Sequence, residues 1–284
     1  MLASLGPLLL DAQRRKYAVG AFNVLTLEYA LGIVKAAEAE KSPVILQISP
    51  SIIKLFGLKP ILSPCLEIAK QSVVPVCVHL DHGKTREILM EAMEAGFTSV
   101  MFDNSSLPIE DNIRETNFIE ALAHQKGISL EAEIGKVGKE EDEVSEGPTN
   151  LSLTSIDDVA LFSQKTKLEA LAVSIGSIHG VKNPTIELDI NLLLQIRELV
   201  SVPLVLHGSS GVTDASILSA IEGGITKINV ATRLKGRVAH ALYAISKNPS
   251  DANLLNNQLV SETIRDAVFL EAVNRIHLFR TYIS

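Results

Sequence analysis

The sequence predicts an α/β fold, a closed (β/α)8 TIM barrel, for the whole chain of 284 residues. Short segments rich in valine, isoleucine and leucine alternate with amphipathic segments, which is the pattern of repeated βα units. Polar side chains stand at or just after the ends of predicted strands that are far apart in the sequence. These side chains are His82, Asp103, His179, His207 and Asn229. A closed ring brings such ends together, so we favour the barrel over an open doubly wound sheet.

Eight segments are predicted as strands because each is a short apolar run bounded by glycine, proline or polar residues. In chain order they are residues 20–24, 43–49, 76–83, 98–103, 128–133, 170–174, 203–206 and 227–230. The third is the most informative, since it ends in the sequence His-Leu-Asp-His-Gly at residues 79–83. Alternation places His79 and Asp81 on one face of this strand, whereas His82 is close enough to its end to turn toward a metal ion.

Between these strands, apolar residues recur three and four positions apart, which predicts helices that pack on the strands. The predicted helices are residues 27–41, 60–72, 84–95, 109–126, 155–165, 188–200 and 214–223, followed by a helical tail from about residue 251 to residue 284. We expect this tail to pack on the barrel or on a second subunit. Because no low-complexity linker or internal repeat interrupts the pattern, residues 1–284 are interpreted as a single domain.

Residues 135–150 interrupt the alternation of strands and helices. This segment contains glycine and many charged residues, few apolar residues and no helical period. It is longer than a routine connection, which makes it a candidate mobile lid. A plain solvated loop is the alternative interpretation.

The composition excludes several classes of protein. The formal net charge is −7 and the isoelectric point is about 5.6, whereas sequence-independent binding to nucleic acids or anionic membranes needs a basic surface. No stretch approaches the roughly 18 apolar residues of a membrane span. The two cysteines, Cys65 and Cys77, indicate neither a disulfide framework nor a cysteine zinc site. We therefore expect a cytoplasmic protein that binds neither nucleic acid nor membrane.

Three of the seven histidines precede a glycine at the end of an apolar stretch. They are His82, His179 and His207. Three imidazoles with an open fourth position suit a catalytic Zn²⁺ ion, since a structural zinc site is closed by a fourth side chain. These residues therefore predict a zinc site at the C-terminal ends of the strands. His79 is interpreted as a packing residue or as a support for the ligands, and the other three histidines as surface residues on helices.

A phosphate site is predicted beside this metal site. Residues 208–211 (Gly-Ser-Ser-Gly) follow the seventh strand, and residues 229–232 (Asn-Val-Ala-Thr) run out of the eighth. Barrels often bind phosphate with these two loops, through backbone N–H groups and a helix N-terminus. Asp81 is interpreted as a residue that orients a histidine or transfers a substrate proton. Glu131 and Glu133 are either metal ligands or paired charges inside the barrel.

Six segments of the chain carry a resemblance to a known family. They are Ala21-Phe22-Asn23-Val24, His79-Leu80-Asp81-His82-Gly83, Glu131-Ala132-Glu133-Ile134-Gly135, His179-Gly180, His207-Gly208-Ser209-Ser210-Gly211 and Lys227-Ile228-Asn229-Val230-Ala231-Thr232. In this order they resemble the motifs of class II, zinc-dependent ketose-bisphosphate aldolases. The resemblance implies a catalytic zinc ion that is held by His82, His179 and His207, with Asp103 and Glu133 near an alternative metal position.

The resemblance also implies a substrate and the residues that contact it. A dihydroxyacetone phosphate moiety, with a monovalent cation beside its phosphate, would be bound by Gly180, Gly208, Ser209, Ser210, Asn229, Val230, Ala231 and Thr232. Asp81 looks like the family's acid/base residue for the C4 hydroxyl proton, and Glu141 resembles a lid glutamate that moves the C3 proton. Asn23 and Ser49 resemble positions that help to hold the substrate. The expected partner is a small sugar bisphosphate, and the expected assembly is a homo-oligomer, a dimer or tetramer.

Several positions bear on specificity within that family. Ala231 resembles the tagatose-bisphosphate branch, whereas fructose-bisphosphate members commonly have aspartate or asparagine there. Residues 104–106 are Asn-Ser-Ser, where members of the family often have a small residue followed by Ser-His. Lys139 stands where a glycine is usual in the lid of that family. Residues 181–183 (Val-Lys-Asn) replace a frequent Pro-Tyr-Lys. These departures affect the aldehyde end of the site, so they concern specificity more than the type of reaction.

The sequence thus predicts a lyase that reversibly cleaves a ketohexose 1,6-bisphosphate, tagatose-type, into dihydroxyacetone phosphate and glyceraldehyde 3-phosphate. A fructose-bisphosphate or modified-sugar-phosphate class II aldolase is the nearest alternative. Two remoter alternatives are a zinc hydrolase, which would not need both phosphate loops, and a non-catalytic barrel subunit. The intact set of Asp81 and three histidines disfavours the non-catalytic alternative.

Overall fold

Eight parallel strands close into a barrel in the computed structural model, which describes residues 1–137, 152–181, 183–247 and 256–281. The strands are β1 Val19–Asn23, β2 Val44–Ile48, β3 Val76–Gly83, β4 Ser99–Phe102, β5 Ser129–Ile134, β6 Ala170–Val173, β7 Leu204–Leu206 and β8 Ile225–Val230. Each strand pairs with the next one along the chain, and β8 pairs with β1. The predicted (β/α)8 TIM barrel is therefore confirmed, and each predicted strand overlaps an observed one.

Helices surround the barrel and connect its strands. They are α1 Leu5–Arg15, α2 Leu27–Ala39, α3 Pro50–Phe56, α4 Leu58–Gln71, α5 Arg86–Ala95, α6 Ile109–Gln125, α7 Ile156–Lys165, α8 Ile190–Leu199, α9 Asp214–Glu222, α10 Thr232–Ser246 and α11 Asn257–Phe279. The predicted helices include neither α1, whose first turn contains Gly6 and Pro7, nor the short α3, nor α10. None of these helices in the described part of the chain has both the length and the apolar content of a membrane span.

The N-terminal end of the barrel interior is apolar. α1 lies against β1, β6 and β8, and its buried leucines pack on inward-facing side chains near the start of the strands. These side chains include Val19, Ile45, Cys77 and Val205. Further along the strands the interior becomes polar, with buried residues such as Asp81. Because the apolar layer excludes water from one end, the polar groups collect at the C-terminal ends of the strands, where barrels carry their sites.

The C-terminal helix α11 packs along α2. Its buried residues include Val268, Ala272 and Ile276. The two helices approach closely at Gly32, where an added Cβ would lie 2.7 Å from the backbone oxygen of Arg265 and 3.0 Å from Cβ of Val268. A side chain at this position would push α11 away from the barrel. Residues 138–150 of the candidate lid and residues 251–255 at the predicted start of the tail lie outside the described residues.

Replacing Gly32 with alanine should lower the free energy of unfolding by about 1–3 kcal/mol, because the added methyl group overlaps the backbone of α11. Gly236 in α10 is a matched control, since nothing lies within 4 Å of a Cβ added there. Gly236→Ala should instead raise that free energy by about 0.5–1 kcal/mol, because alanine favours the helix. Denaturant unfolding of both variants measures the difference. Equal effects would contradict a close approach at Gly32.

Candidate active site

Three imidazole rings lie together at the C-terminal end of the barrel, and we call them the histidine cluster. The ring centroids are 4.7 Å apart for His82 and His207, 5.6 Å for His82 and His179, and 6.1 Å for His179 and His207. One nitrogen of each ring lies within 4.8 Å of a nitrogen of the other two. Three residues from distant parts of the sequence thus form one group of neighbouring nitrogen atoms.

His82 reaches the cluster because β3 leaves regular strand geometry at its end. The residue has φ 48°, a left-handed conformation that non-glycine residues rarely adopt. The register between β3 and β4 also shifts between Leu80 and Gly83, which interrupts the alternation of side chains. A Cβ at Gly83 would lie 3.0 Å from the backbone oxygen of Met101, so a glycine suits this position. Unusual backbone conformations of this kind concentrate at functional sites.

Two carboxylates contact the outer nitrogens of the cluster. Nδ1 of His82 lies 2.9 Å from Oδ2 of Asp103, and Nε2 of His207 lies 3.0 Å from Oε1 of Glu131. Because a carboxylate accepts hydrogen bonds, each ring donates its N–H to it, as is common for histidines that bind metals. The other nitrogens, Nε2 of His82 and Nδ1 of His207, face each other at 3.0 Å.

This donor set fits a metal ion. Two nitrogens bound to one tetrahedral zinc ion at about 2.0–2.1 Å lie about 3.3 Å apart, close to the separation of the facing ring nitrogens. His82 also forms a second group of suitable donors with Asp103 and Glu133. Oε2 of Glu133 is buried without a hydrogen-bond partner among the described residues, and lies 3.8 Å from Nδ1 of His207. A buried carboxylate oxygen of this kind favours a cation beside it.

Burial and charge shift the pKa values of these groups in different directions. Burial lowers the pKa of His179 well below its ordinary value and also lowers the pKa of His207, so both rings are neutral and able to act as ligands. Burial opposes the charge of His82 as well, but nearby carboxylates, led by Asp81, raise its pKa well above the ordinary value. Burial raises the pKa of Glu133 to about 8, and the charge of a neighbouring aspartate adds to this effect.

Asp81 lies beside the cluster and is fully buried. Its Oδ2 accepts hydrogen bonds from the side-chain amides of Asn23 and Gln47, each at 3.2 Å. Its Oδ1 accepts one from Asn229, also at 3.2 Å, and lies 4.0 Å from Nε2 of His82. The donors come from β1, β2 and β8, so both ends of the barrel sequence contribute to the environment of one carboxylate.

Sequence reasoning missed two fully buried polar residues near this carboxylate, Gln47 and Lys227. Nζ of Lys227 lies 2.9 Å and 3.1 Å from the two carboxylate oxygens of Glu131, which is therefore a paired charge inside the barrel. Burial opposes ionisation of Glu131, but nearby charges and hydrogen bonds, led by the charge of Lys227, outweigh it and lower the pKa of Glu131 to about 2. The only sequence signal was a polar residue within an apolar strand. His79 is buried, and its Nδ1 lies 2.9 Å from Oγ of Ser99.

The loops after β6, β7 and β8 meet near the cluster. Gly208 has φ 65°, and an added Cβ would lie 2.9 Å from the backbone carbon of Ile178. Oγ of Ser209 donates to the backbone oxygen of Asn229 at 2.5 Å, which joins the loop after β7 to the end of β8. α10 begins at Thr232 with no side-chain cap and no acidic residue in its first turn. The free N–H groups of such a helix N-terminus favour a bound anion.

Most of the predicted substrate-binding residues are buried at this end of the barrel, namely Asn23, Ser49, Gly208, Ser209, Ser210, Asn229, Val230 and Ala231. Thr232 is half-buried, and Gly180, with φ 74°, is exposed. Glu141 and Lys139 lie outside the described residues. In the loop after β4, Asn104 is buried, and Oγ of Ser105 donates to Asp103 at 2.7 Å.

The barrel, the histidine cluster and the adjoining acid define a metal-dependent barrel enzyme. The chain belongs to the family described as fructose-bisphosphate aldolase class-II, which matches residues 3–282. It is therefore a class II aldolase, an aldehyde-lyase that acts on sugar phosphates, and its family is metal-dependent. This membership excludes the hydrolase and the non-catalytic subunit as readings of the chain.

Relatives of this family resemble the chain over nearly its whole length. The 6-phospho-5-dehydro-2-deoxy-D-gluconate aldolase of Halalkalibacterium halodurans is 40% identical over 253 residues, or 88% of this chain and 87% of that protein. The fructose-bisphosphate aldolase of Geobacillus stearothermophilus is 36% identical over 282 residues, or 98% and 96%. The X-ray crystal structure of the YdjI aldolase from Escherichia coli K12 superposes with a TM-score of 0.86 at 34% identity, covering 98% of this chain and 97% of that one.

Metal binding at the histidine cluster should weaken as the pH is lowered. The raised pKa of His82 means that its ring carries a proton that a metal ion must displace. Zinc affinity, measured by chelator competition from about pH 8 down to about pH 6, should therefore fall, by at most about tenfold per pH unit for this one proton. His240→Gln, at an exposed position of α10, should leave this dependence unchanged. An affinity that is constant across this range would contradict the prediction.

Proposed function

We propose that the chain reversibly cleaves a ketohexose 1,6-bisphosphate of the tagatose type into dihydroxyacetone phosphate and glyceraldehyde 3-phosphate, with Zn²⁺ as its metal. The observation that carries the proposal is the cluster of His82, His179 and His207 beside the buried carboxylate of Asp81. This arrangement supports a metal ion at a carbonyl oxygen and an acid/base group at a nearby hydroxyl of the same substrate.

The three imidazoles are proposed to hold the zinc ion, because three histidines leave one position open for the substrate. Bound there, zinc supplies a Lewis acid that polarises the carbonyl oxygen of the ketose. Asp103 and Glu131 orient the rings of His82 and His207 through their hydrogen bonds. We propose the second donor group, which includes Asp103 and Glu133, as an alternative metal position.

Asp81 is proposed to accept the proton of the C4 hydroxyl during cleavage and to return it during condensation. Its three amide donors hold the carboxylate in one orientation, and the 4.0 Å distance from Oδ1 to Nε2 of His82 places it next to the cluster. A base that is fixed in this way loses little freedom when the substrate binds.

The phosphate of the dihydroxyacetone end is proposed to bind where the loops after β7 and β8 meet. The left-handed turn at Gly208 and the uncapped N-terminus of α10 support this assignment. The proposed contacts are Gly180, Gly208, Ser209, Ser210, Asn229, Val230, Ala231 and Thr232. A monovalent cation beside this phosphate is part of the proposal.

Three further residues are proposed to contact the substrate. Asn23 and Ser49 would help to hold it, and both are buried at the C-terminal ends of β1 and β2. Nδ2 of Asn23 already donates to Asp81, which places this amide beside the proposed base. Glu141, on the candidate lid of residues 135–150, would move the C3 proton.

The tagatose preference rests on Ala231 in the Asn-Val-Ala-Thr sequence that leaves β8. A fructose-bisphosphate or modified-sugar-phosphate substrate is the second candidate. It is supported by the relatives at 36% and 40% identity, whose names specify fructose bisphosphate and a phosphorylated deoxygluconate.

We also propose that residues 1–284 form one domain, that the protein assembles as a dimer or tetramer, and that it works in the cytoplasm. Cys65 and Cys77 are both free and buried, which suits a reducing compartment. Large exposed apolar side chains such as Leu55 and Tyr243 are compatible with contacts between copies.

A substrate panel tests the proposed reaction. Tagatose 1,6-bisphosphate should release triose phosphate faster than fructose 1,6-bisphosphate or 6-phospho-5-dehydro-2-deoxy-D-gluconate, as followed in a coupled assay. A chelator should abolish release, and added Zn²⁺ should restore it, because the metal polarises the carbonyl. Faster turnover of another member of the panel would reject the tagatose preference. Absence of triose release from every ketose bisphosphate by the zinc-loaded protein would reject the proposed reaction.

Asp81→Asn should lower kcat by about 10²–10⁴-fold, because the variant keeps the shape of the side chain but loses the acid/base group. Its zinc content should match that of the unaltered protein, since the three histidines are intact. Asp157→Asn, at an exposed position in the first turn of α7, is the matched control and should leave kcat unchanged. Near-normal turnover in Asp81→Asn would remove Asp81 from the proton-transfer role.

A further inference from the structure

A fully buried ammonium group lies inside the barrel, next to the histidine cluster and to the surroundings of Asp81. It belongs to Lys227 in β8, which has no exposed surface. Its Nζ lies 2.9 Å and 3.1 Å from the two carboxylate oxygens of Glu131, and 2.8 Å from Oδ1 of Asn229. One cation therefore contacts both the carboxylate behind His207 and the amide beside Asp81.

Stability alone does not explain an ion pair at this depth. A buried lysine and glutamate lose their hydration, and replacing such a pair with apolar side chains of similar volume is often neutral or stabilising. The neighbouring layer of the same barrel interior is filled in this apolar way, by residues such as Val19, Ile45 and Val205. A role in orienting other groups accounts better for the pair.

The first group that Lys227 orients is the ring of His207, through Glu131. The ammonium fixes the carboxylate, and a carboxylate can only accept, so the hydrogen in the 3.0 Å contact belongs to Nε2 of His207. In the neutral ring the lone pair is then on Nδ1. Nδ1 is the nitrogen that faces Nε2 of His82 at 3.0 Å, inside the histidine cluster.

The second group is the side-chain amide of Asn229. An ammonium can only donate, so the atom of Asn229 that faces Lys227 is the oxygen Oδ1. The amide nitrogen Nδ2 consequently points the other way and donates to Oδ1 of Asp81 at 3.2 Å. The reversed amide would place its oxygen against the carboxylate of Asp81, where the two would repel.

We propose that Lys227 is a positioning residue that fixes the Nε2-protonated tautomer of His207 and the amide orientation of Asn229 at the same time. The inference deepens the proposed function and rests on it for the roles of the histidine cluster and Asp81. One buried cation thereby couples the metal-binding side of the site to the proton-transfer side. Both metal affinity and turnover should depend on it.

The test compares Lys227→Met with the double variant Lys227→Met/Glu131→Gln. The single variant leaves Glu131 buried without its cation, so its Tm should fall, whereas the double variant removes both charges and should recover most of that Tm. In the double variant, zinc affinity from chelator competition should fall by about tenfold to 100-fold. At saturating zinc, kcat should still be reduced by about tenfold, since the amide of Asn229 has lost the contact with Lys227 that holds it in place.

The exposed ion pair between Lys126 and Glu94 supplies the matched control, and Lys126→Met should change none of these quantities. Unaltered zinc affinity and kcat in the double variant would overturn the proposal, because Lys227 would then only neutralise Glu131. Full recovery of kcat in excess zinc would overturn the coupling to Asn229, because weaker metal binding alone would explain the loss.

The tautomer of His207 can be measured directly in the unaltered protein, without any turnover. In the metal-free protein with isotope-labelled histidine, the ring nitrogen chemical shifts report which nitrogen carries the proton, and a His207→Gln variant assigns the signals. We expect a protonated Nε2 and an unprotonated Nδ1 in His207; a protonated Nδ1 would overturn the proposal. Because no substrate is needed, failure of the proposed reaction and failure of this inference are distinguishable.

Discussion

The closure of the barrel between β8 and β1 is the constraint on which the site depends. The pairing of these strands places Ala21 beside Asn229, so the first and last strands of the barrel are neighbours. Only through this closure do Asn23 and Asn229 donate to the same carboxylate, that of Asp81. The same ring gathers the ends of β3, β6 and β7 around the histidine cluster. No single βα unit contains the site, which is a property of the closed sheet.

Closure also removes several ionisable groups from water, and burial of a charge is unfavourable unless the charge is paired or hydrogen-bonded. The interior meets this condition at Glu131, which is paired with Lys227, and at Asp81, which accepts three amide hydrogen bonds. Glu133 is different, because its Oε2 has no hydrogen-bond partner within the described ranges and its pKa is raised to about 8. A buried carboxyl group that keeps its proton at neutral pH can exchange that proton for a divalent cation, which would then satisfy the unpaired oxygen.

Much of the barrel could be predicted from the sequence, because short apolar runs and apolar residues at helical spacing are recognisable in the linear sequence itself. The convergence of His82 with two distant histidines was predictable for a related reason, since a His-Gly pair after an apolar run marks the end of a strand. The approach of His82 to Asp81 was not, because alternation places the two on opposite faces, and only the φ of 48° and the register shift between β3 and β4 override it. Lys227 was missed because its partner Glu131 lies 96 residues away, and pairing at that distance exists only after the barrel has closed.

Specificity for one sugar is a separate question from the chemistry of cleavage. Relatives named for different substrates share 40% and 36% of their aligned residues with this chain, so the shared barrel does not select the sugar. The proposed base accepts three amide hydrogen bonds, and the rings of His82 and His207 each donate to a carboxylate, which leaves little room for change at these residues. The loop after β4 is less constrained, because Nδ2 of buried Asn104 has no hydrogen-bond partner among the described residues, while Ser105 still supports Asp103 behind His82. Substitutions at Asn104 can therefore change the loop after β4 without breaking the hydrogen bonds of the histidine cluster, which lets the proposed specificity diverge while the reaction is preserved.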